Sequence, residues 1–158
     1  MTPFSEIYDL AIITMGDYKI KNLIAVSQDS FYTYMRSLLT TGIISFSGCL
    51  QSLDFTSQEE TDDTSGDVTT VWYFVEDLSF IEKSILARTV ILQWWEQKLQ
   101  EVTVFQGSIP DKNFSKMEIA NGLKQKSEYK DKLNEEIGRL IGEYQCDNLS
   151  SLPFFGGI

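Results

Sequence analysis

The chain has 158 residues, with 13 basic and 23 acidic side chains, no histidine and a formal net charge of −10. This length favours one domain with a single hydrophobic core that needs no disulfide or metal. The acidic balance argues against attraction to a phosphate backbone. The lack of histidine excludes Ser-His-Asp and Cys-His nucleophile systems and removes the commonest zinc ligand.

Several targeting and ligand-binding signals are missing from the sequence. Cys49 and Cys146 are far apart and form no CxxC motif, which indicates a reducing cytoplasm. The N-terminus has no basic region followed by an apolar run, so we expect no secretion signal. The apolar run Ile85–Trp95 is too short to cross a bilayer, and neither glycine-rich phosphate-binding motif is present.

Capping residues followed by helical periodicity predict the first two helices. Thr2 before Pro3 is typical of a helix N-cap with proline at the first position, and predicts a helix from Pro3 to Met15. Ser27 is a second cap after the connector Tyr18–Val26. The apolar residues after it recur at helical spacing: Phe31, Tyr34, Met35, Leu38 and Leu39.

Residues 51–77 are predicted to form a β-hairpin arm. The β-prone run Val68–Val75 follows an acidic stretch, Gln58–Asp67, which we interpret as the exposed tip of the hairpin. We expect this arm to contact another subunit rather than a ligand. The expected interface residues on the second strand are Val71, Tyr73 and Val75.

Ser79 and Glu82 form an S-x-x-E capping box that predicts the start of a third helix. Its apolar residues cover more than one face, which indicates burial by several neighbouring helices or subunits. Trp94 and Trp95 lie in this helix. They are either a stacking platform for bases or sugars or part of the core, and the lack of basic neighbours favours the core.

A long charged helix is predicted from about Ser115 to Tyr144, and its first half, Met117–Tyr129, is expected to project or to meet a partner. The predicted core comprises the first three helices and the second half of this one. We expect six of its residues to be buried: Leu38, Ile85, Trp95, Leu99, Leu133 and Ile137.

The segment 149–158 is apolar and incompatible with a helix, so it is predicted to be an extended tail. It either folds back on its own domain or docks in a groove of a neighbouring protein. Its expected contact residues are Leu152, Phe154, Phe155 and Ile158. The predicted fold is therefore mainly α: a small helical bundle over residues 1–148 with a long C-terminal helix and one β-hairpin arm, followed by this tail.

The sequence supplies only weak candidates for a metal site or a catalytic site. Aligning Gly66 with the EF-hand glycine places Thr61 at the first ligand position and Trp72 where a bidentate glutamate belongs, so a solvated loop tip is favoured over calcium binding. Glu135 and Glu136 are adjacent on a helix and point about 100° apart, which suits no shared acid–base task. We therefore expect no enzyme activity, cofactor or metal.

The sequence resembles head-tail connector (adaptor) proteins of tailed bacteriophages over about residues 1–145. The similarity rests on five segments: Thr2-Pro3-Phe4-Ser5-Glu6-Ile7-Tyr8, Asp17-Tyr18, Phe31-Tyr32 with Tyr34-Met35, Leu78–Ala87 leading to Trp94-Trp95, and Asn121–Tyr129. The resemblance implies a helical subunit that forms a ring, commonly twelve-fold, between the portal and the tail. It also implies extended arms or tails that clasp neighbouring subunits.

The expected partners are thus copies of the chain itself, the portal protein and tail or neck proteins, with DNA passing through unbound and no membrane. The expected location is the virion neck, and the host cytoplasm during assembly. The alternative from a different class is a small acidic phage inhibitor or DNA mimic that binds a host nucleic-acid enzyme through its carboxylates.

Overall fold

The computed structural model describes residues 1–15, 25, 27–61, 68–106 and 113–150. Its elements in chain order are β1 (Thr2–Pro3), α1 (Phe4–Met15), α2 (Gln28–Ile43), a 3-10 turn (Ile44–Phe46), β2 (Phe55–Thr61), β3 (Val68–Phe74), α3 (Phe80–Gln106) and α4 (Asn113–Ser150). The mainly α fold with a β-hairpin is confirmed. The predicted connector Tyr18–Val26 lies almost wholly outside the described residues.

Helix α3 lies at the centre of the molecule, with α1, α2 and α4 packed around it. Its apolar residues cover several faces, so neighbours on several sides are needed to bury them. The buried members are Ile85, Leu86, Ala87, Val90, Ile91, Leu92 and Trp94. The sequence prediction of a core helix enclosed on several sides is confirmed.

Four of the six predicted core residues are buried: Leu38, Ile85, Leu133 and Ile137. The prediction was wrong for Trp95 and Leu99, which are half-buried. The Trp95 ring lies against Tyr129 of α4 at 5.3 Å between centroids, and Tyr129 is itself 45% exposed. Trp95 is therefore covered from one side, whereas its neighbour Trp94 points into the core.

The N-terminus does not cap α1 in the way the sequence suggests. Thr2 and Pro3 form β1, which pairs antiparallel with the end of β3. The Thr2 hydroxyl accepts a hydrogen bond from the Leu78 N–H at 2.8 Å and donates to Asp77 at 3.3 Å. The helix begins at Phe4, because Thr2 is used to tie the chain start to the segment before α3.

The predicted caps of α2 and α3 are confirmed. The Ser27 hydroxyl accepts from the Ser30 N–H at 3.3 Å. At α3, the Glu82 carboxylate accepts from the Ser79 N–H at 2.7 Å, and the Ser79 hydroxyl accepts from the Glu82 N–H at 3.4 Å. Both caps satisfy N–H groups that a helix start leaves without partners.

Helix α4 runs antiparallel to α3, with Arg88 paired to Glu136 at 3.0 Å. It continues past the predicted end at Tyr144 to Ser150, so the first two residues of the predicted tail are helical. The rest of that tail lies outside the described residues. Within the described ranges, no helix is both long and apolar enough to cross a membrane.

Candidate protein-interaction surface

The base of the hairpin is built into the core. The Phe4 ring lies 4.6 Å from Phe74 and 5.5 Å from Phe55, between centroids. The guanidinium of Arg36 lies 4.6 Å from the centre of a Trp72 ring, which is within the range of a cation–π contact. The base of the arm is therefore fixed in its own domain, and the expected contact with another subunit concerns its remaining surface.

The hairpin has two faces, because side chains alternate along each strand. Phe55, Trp72 and Phe74 share the inner face, which packs on Phe4. The register pairs Thr56 with Tyr73, Gln58 with Val71 and Glu60 with Thr69. These positions, with Val75, form the opposite side, here named the outer hairpin face: Thr56, Gln58, Glu60, Thr69, Val71, Tyr73 and Val75.

The three predicted interface residues of the hairpin thus lie on one face, directed away from the core. Val71 and Tyr73 are half-buried, and Val75 is 45% exposed. The Tyr73 hydroxyl donates a hydrogen bond to the Glu60 carboxylate, and this bond raises the pKa of Tyr73. The outer hairpin face therefore combines apolar surface with a carboxylate.

Both edges of the distal hairpin are free within the described sheet. The strand order is β1-β3-β2, so β2 lies at one edge. On the other side, β1 covers only Tyr73 and Phe74. The remaining backbone groups along these edges have no ladder partner in the described chain, and such groups readily pair with another strand.

The hairpin lies in a stretch of chain that carries negative charge alone. No lysine or arginine occurs between Arg36 and Lys83. The acidic residues of this stretch are Asp54, Glu59, Glu60, Asp62, Asp63, Asp67, Glu76, Asp77 and Glu82. Glu59 and Glu60 are exposed on β2, whereas the three aspartates of the predicted tip lie outside the described residues.

A second polar cluster joins three distant parts of the chain around the carboxylate of Glu82, which is 3% exposed. One of its oxygens closes the capping box. The other accepts from the Tyr144 hydroxyl and from the Cys49 thiol, the latter at 3.4 Å. Tyr144 in turn accepts from the Leu50 N–H at 3.0 Å. The cluster holds the end of α4 against the start of α3.

The protonation states in this cluster favour a structural role. Burial opposes ionisation of Glu82, but hydrogen bonds from Tyr144, from Ser79 and from the thiol outweigh it and lower the pKa of the carboxyl. Burial raises the pKa of Tyr144, as does the bond to Glu82. Burial also raises the pKa of the Cys49 thiol to about 11, so this cysteine is a poor nucleophile at neutral pH.

An open cleft of about 490 Å³ lies beside this cluster, bounded by Leu50, Lys83 and Asn148 among others. The Lys83 ammonium at its rim is already paired with Glu6 at 2.7 Å. Among the described residues, no group of histidine, cysteine or acidic side chains is arranged to hold a metal ion. The outer hairpin face is therefore the stronger candidate for a functional surface.

The sequence did not reveal the Glu82–Tyr144 contact. The available signal was that Tyr144 falls on the buried stripe of α4, because a buried tyrosine hydroxyl requires a hydrogen-bond partner. The remaining predicted interface residues, Leu152, Phe154, Phe155 and Ile158, lie outside the described residues. No known protein family, curated protein or solved structure matches this chain.

Proposed function

We propose that this chain is a structural subunit of the neck of a tailed bacteriophage, where it forms a ring that joins the portal and head to the tail. The ring is twelve-fold, as is common among the proteins it resembles, and DNA passes through it. The subunit has no catalytic role and needs no cofactor. The observation that carries this proposal is the hairpin, whose base is fixed in the core while its distal edges and outer face are free.

Free strand edges support an assembly role. They attract other chains, and folded proteins usually cover or charge them. In this hairpin the covering is absent from the described residues, while Glu59 and Glu60 place charge on β2. Two such acidic strands repel each other. The arrangement therefore suits a partner surface that is basic or neutral rather than a second hairpin.

The charge of the region also fits a channel through which DNA slides. Exposed carboxylates of this stretch, such as that of Glu59 on β2, repel phosphate groups over roughly a Debye length, about 8 Å at physiological salt. A subunit that turns such carboxylates toward the lumen leaves DNA mobile. The protein is then found in the virion neck, and in the host cytoplasm during assembly.

The same acidic stretch favours a second candidate, the small phage inhibitor that imitates DNA. An inhibitor of this kind presents its carboxylates with phosphate-like spacing to a host nucleic-acid enzyme. It works as a monomer or dimer. A ring-forming subunit differs from it in oligomeric state and in its presence in the finished particle.

The test is to purify the full chain alone and with the portal of the phage that encodes it, and to examine both by negative-stain microscopy and light scattering. Rings of the chain, and its detection by mass spectrometry in purified virions, support the proposal. A chain that stays monomeric with the portal and is absent from virions overturns it. Inhibition of a nucleic-acid enzyme by that monomer supports the alternative.

The expected tail contacts have a separate test. Because α4 extends to Ser150, a chain ending there removes Leu152, Phe154, Phe155 and Ile158 while keeping the helix whole. We expect this chain to give the same helical circular dichroism and thermal midpoint as the native chain, and to fail to join the ring or the portal. Normal assembly of the shortened chain would exclude the tail from the interface.

A further inference from the structure

The N-terminal half of α4 carries a surface whose chemistry complements the hairpin. The stripe of α4 that is buried at Leu133 and Ile137 continues toward the helix start through Lys130, Lys126 and Leu123 at helical spacing. Lys126 is exposed, and Leu123 and Lys130 are half-buried. With Tyr129, which is 45% exposed, they form a patch named here the helix patch: Leu123, Lys126, Tyr129 and Lys130.

The helix patch combines basic and apolar side chains, and it lies on the same side of α4 as the buried Leu133 and Ile137. Lys126 forms no ion pair among the described residues, and Lys130 has only a long contact of 3.7 Å with Asp131. Tyr129 lies on the half-buried Trp95, so an aromatic pair adds apolar surface beside the lysines. On α3 the nearby Lys98 is neutralised by Glu101 at 2.8 Å.

We infer that the helix patch of one copy receives the outer hairpin face of the next copy, in a head-to-tail contact. The inference rests on the proposed function and names the surfaces that would build its ring. Glu60, Val71 and Tyr73 on the hairpin meet lysines and apolar side chains on the helix. Opposite charges give the contact its register, and apolar contact excludes water around it.

The positions of the two surfaces suit contact between copies. The outer hairpin face is built from β2 and β3, whereas the helix patch lies on α4. Each copy therefore offers two different surfaces. A contact of this kind leaves one surface of each kind unused in a dimer, and it continues until a ring closes or a filament grows.

The experiment reverses charge on one surface at a time and compares each variant with a matched control. Lys126→Glu with Lys130→Glu alters the helix patch. Lys124→Glu with Lys132→Glu makes the same charge change on the same helix, on a different face. We expect the first pair to weaken self-association by about tenfold or more and the second to change it far less. Light scattering and sedimentation measure it, with circular dichroism confirming the helices.

On the hairpin, Glu60→Lys on the outer face is compared with Glu59→Lys on the inner face. We expect only the former to weaken assembly. Combining Glu60→Lys with Lys126→Glu and Lys130→Glu should restore assembly, since the charges are then exchanged. Mixing the Glu60→Lys chain with the Lys126→Glu, Lys130→Glu chain should also restore assembly, because each contact between unlike chains joins either the two native surfaces or the two charge-exchanged surfaces.

The outcomes separate this inference from the proposed function. Rings that persist in the helix-patch variant, or that weaken equally in the Lys124 and Lys132 control, overturn the inference and leave the ring proposal standing. Open filaments from the native chain, sensitive to the same charge reversals, support the contact and count against a closed ring. A native chain that remains monomeric at all concentrations overturns the inference.

Discussion

Apolar side chains are buried in the helical core but partly exposed on the hairpin. Around α3, large apolar residues such as Phe46 and Ile85 are fully buried. On the hairpin, apolar side chains such as Val68 and Val75 remain exposed near carboxylates, and both edges of its distal part are free within the described sheet. We therefore expect stability and assembly to be separable in this protein. Changes in the core should act on folding, and changes on the hairpin should act on contacts between copies.

The largest difference between the two regions is expected at two positions of β3. Phe74 is fully buried against Phe4, so Phe74→Ala should lower the free energy of unfolding by about 3–5 kcal/mol. Val71→Ala on the outer hairpin face should cost within about 1 kcal/mol. Denaturant unfolding of the dispersed chain measures both. Equal costs would mean that the whole hairpin belongs to the core.

The next largest effect is expected at the polar cluster. Tyr144→Phe removes the hydroxyl that donates to Glu82 and accepts from the Leu50 N–H, and should cost about 1–3 kcal/mol at neutral pH. The core ring contact with Phe46 at 5.4 Å is kept. This loss isolates the hydrogen bonds from apolar packing.

The pH dependence of this loss follows from the lowered pKa of Glu82. A carboxyl whose pKa is lowered by folding stabilises the folded protein at pH values above the ordinary pKa of that group, which is 4.5. This stabilisation is lost as the pH falls through the pKa of the folded state. The difference between Tyr144→Phe and the native chain should therefore be largest above about pH 5 and narrow below it. A difference that stays constant into strong acid would show that the charge of Glu82 plays no part.

Much of the helical core could be predicted because its signals are local. Ser27 and the Ser79–Glu82 pair mark helix starts through hydrogen bonds within one turn. Periodicity could not decide which of the adjacent Trp94 and Trp95 faces the core, because α3 is apolar on several sides. That choice depends on where α4 lies, which is a long-range contact.

The candidate surface was predicted in part. Strand alternation places Val71, Tyr73 and Val75 on one face, but the sequence does not say that this face is the outer one. That assignment depends on Phe4 covering the other side of the sheet. Thr2 misled for a similar reason: its local pattern is that of a cap, while its hydroxyl bonds 76 residues away, at Leu78.

A smaller effect on stability, of opposite sign at two glycines, is expected within the helices. A Cβ on Gly42 would lie 2.8 Å from the buried Thr89 hydroxyl, which bonds to the Leu86 carbonyl at 2.7 Å. Gly42→Ala should therefore destabilise by about 1–3 kcal/mol through overpacking. At Gly138 a Cβ meets nothing within 4 Å, so Gly138→Ala should stabilise by about 0.5–1 kcal/mol. Thermal melts of both variants measure the signs, and a stabilising Gly42→Ala would show that α2 and α3 adjust freely.

Shortening the hairpin is expected to have the smallest effect on stability. The same change should abolish assembly. Replacing Gln58–Val71 with Asn-Gly joins Ser57 to Trp72 through a two-residue turn and leaves Phe55, Trp72 and Phe74 on the inner face. The distal strands touch little but each other, so their loss should change the free energy of unfolding by no more than about 1 kcal/mol. Helical circular dichroism should be unchanged, whereas light scattering should find no ring.

Ile13→Ser, at an apolar residue 81% exposed on α1, is the control and should alter neither property. A large fall in the melting temperature of the shortened chain would place the distal hairpin within the cooperative fold, and the separation of stability from assembly would then fail at the region chosen to demonstrate it.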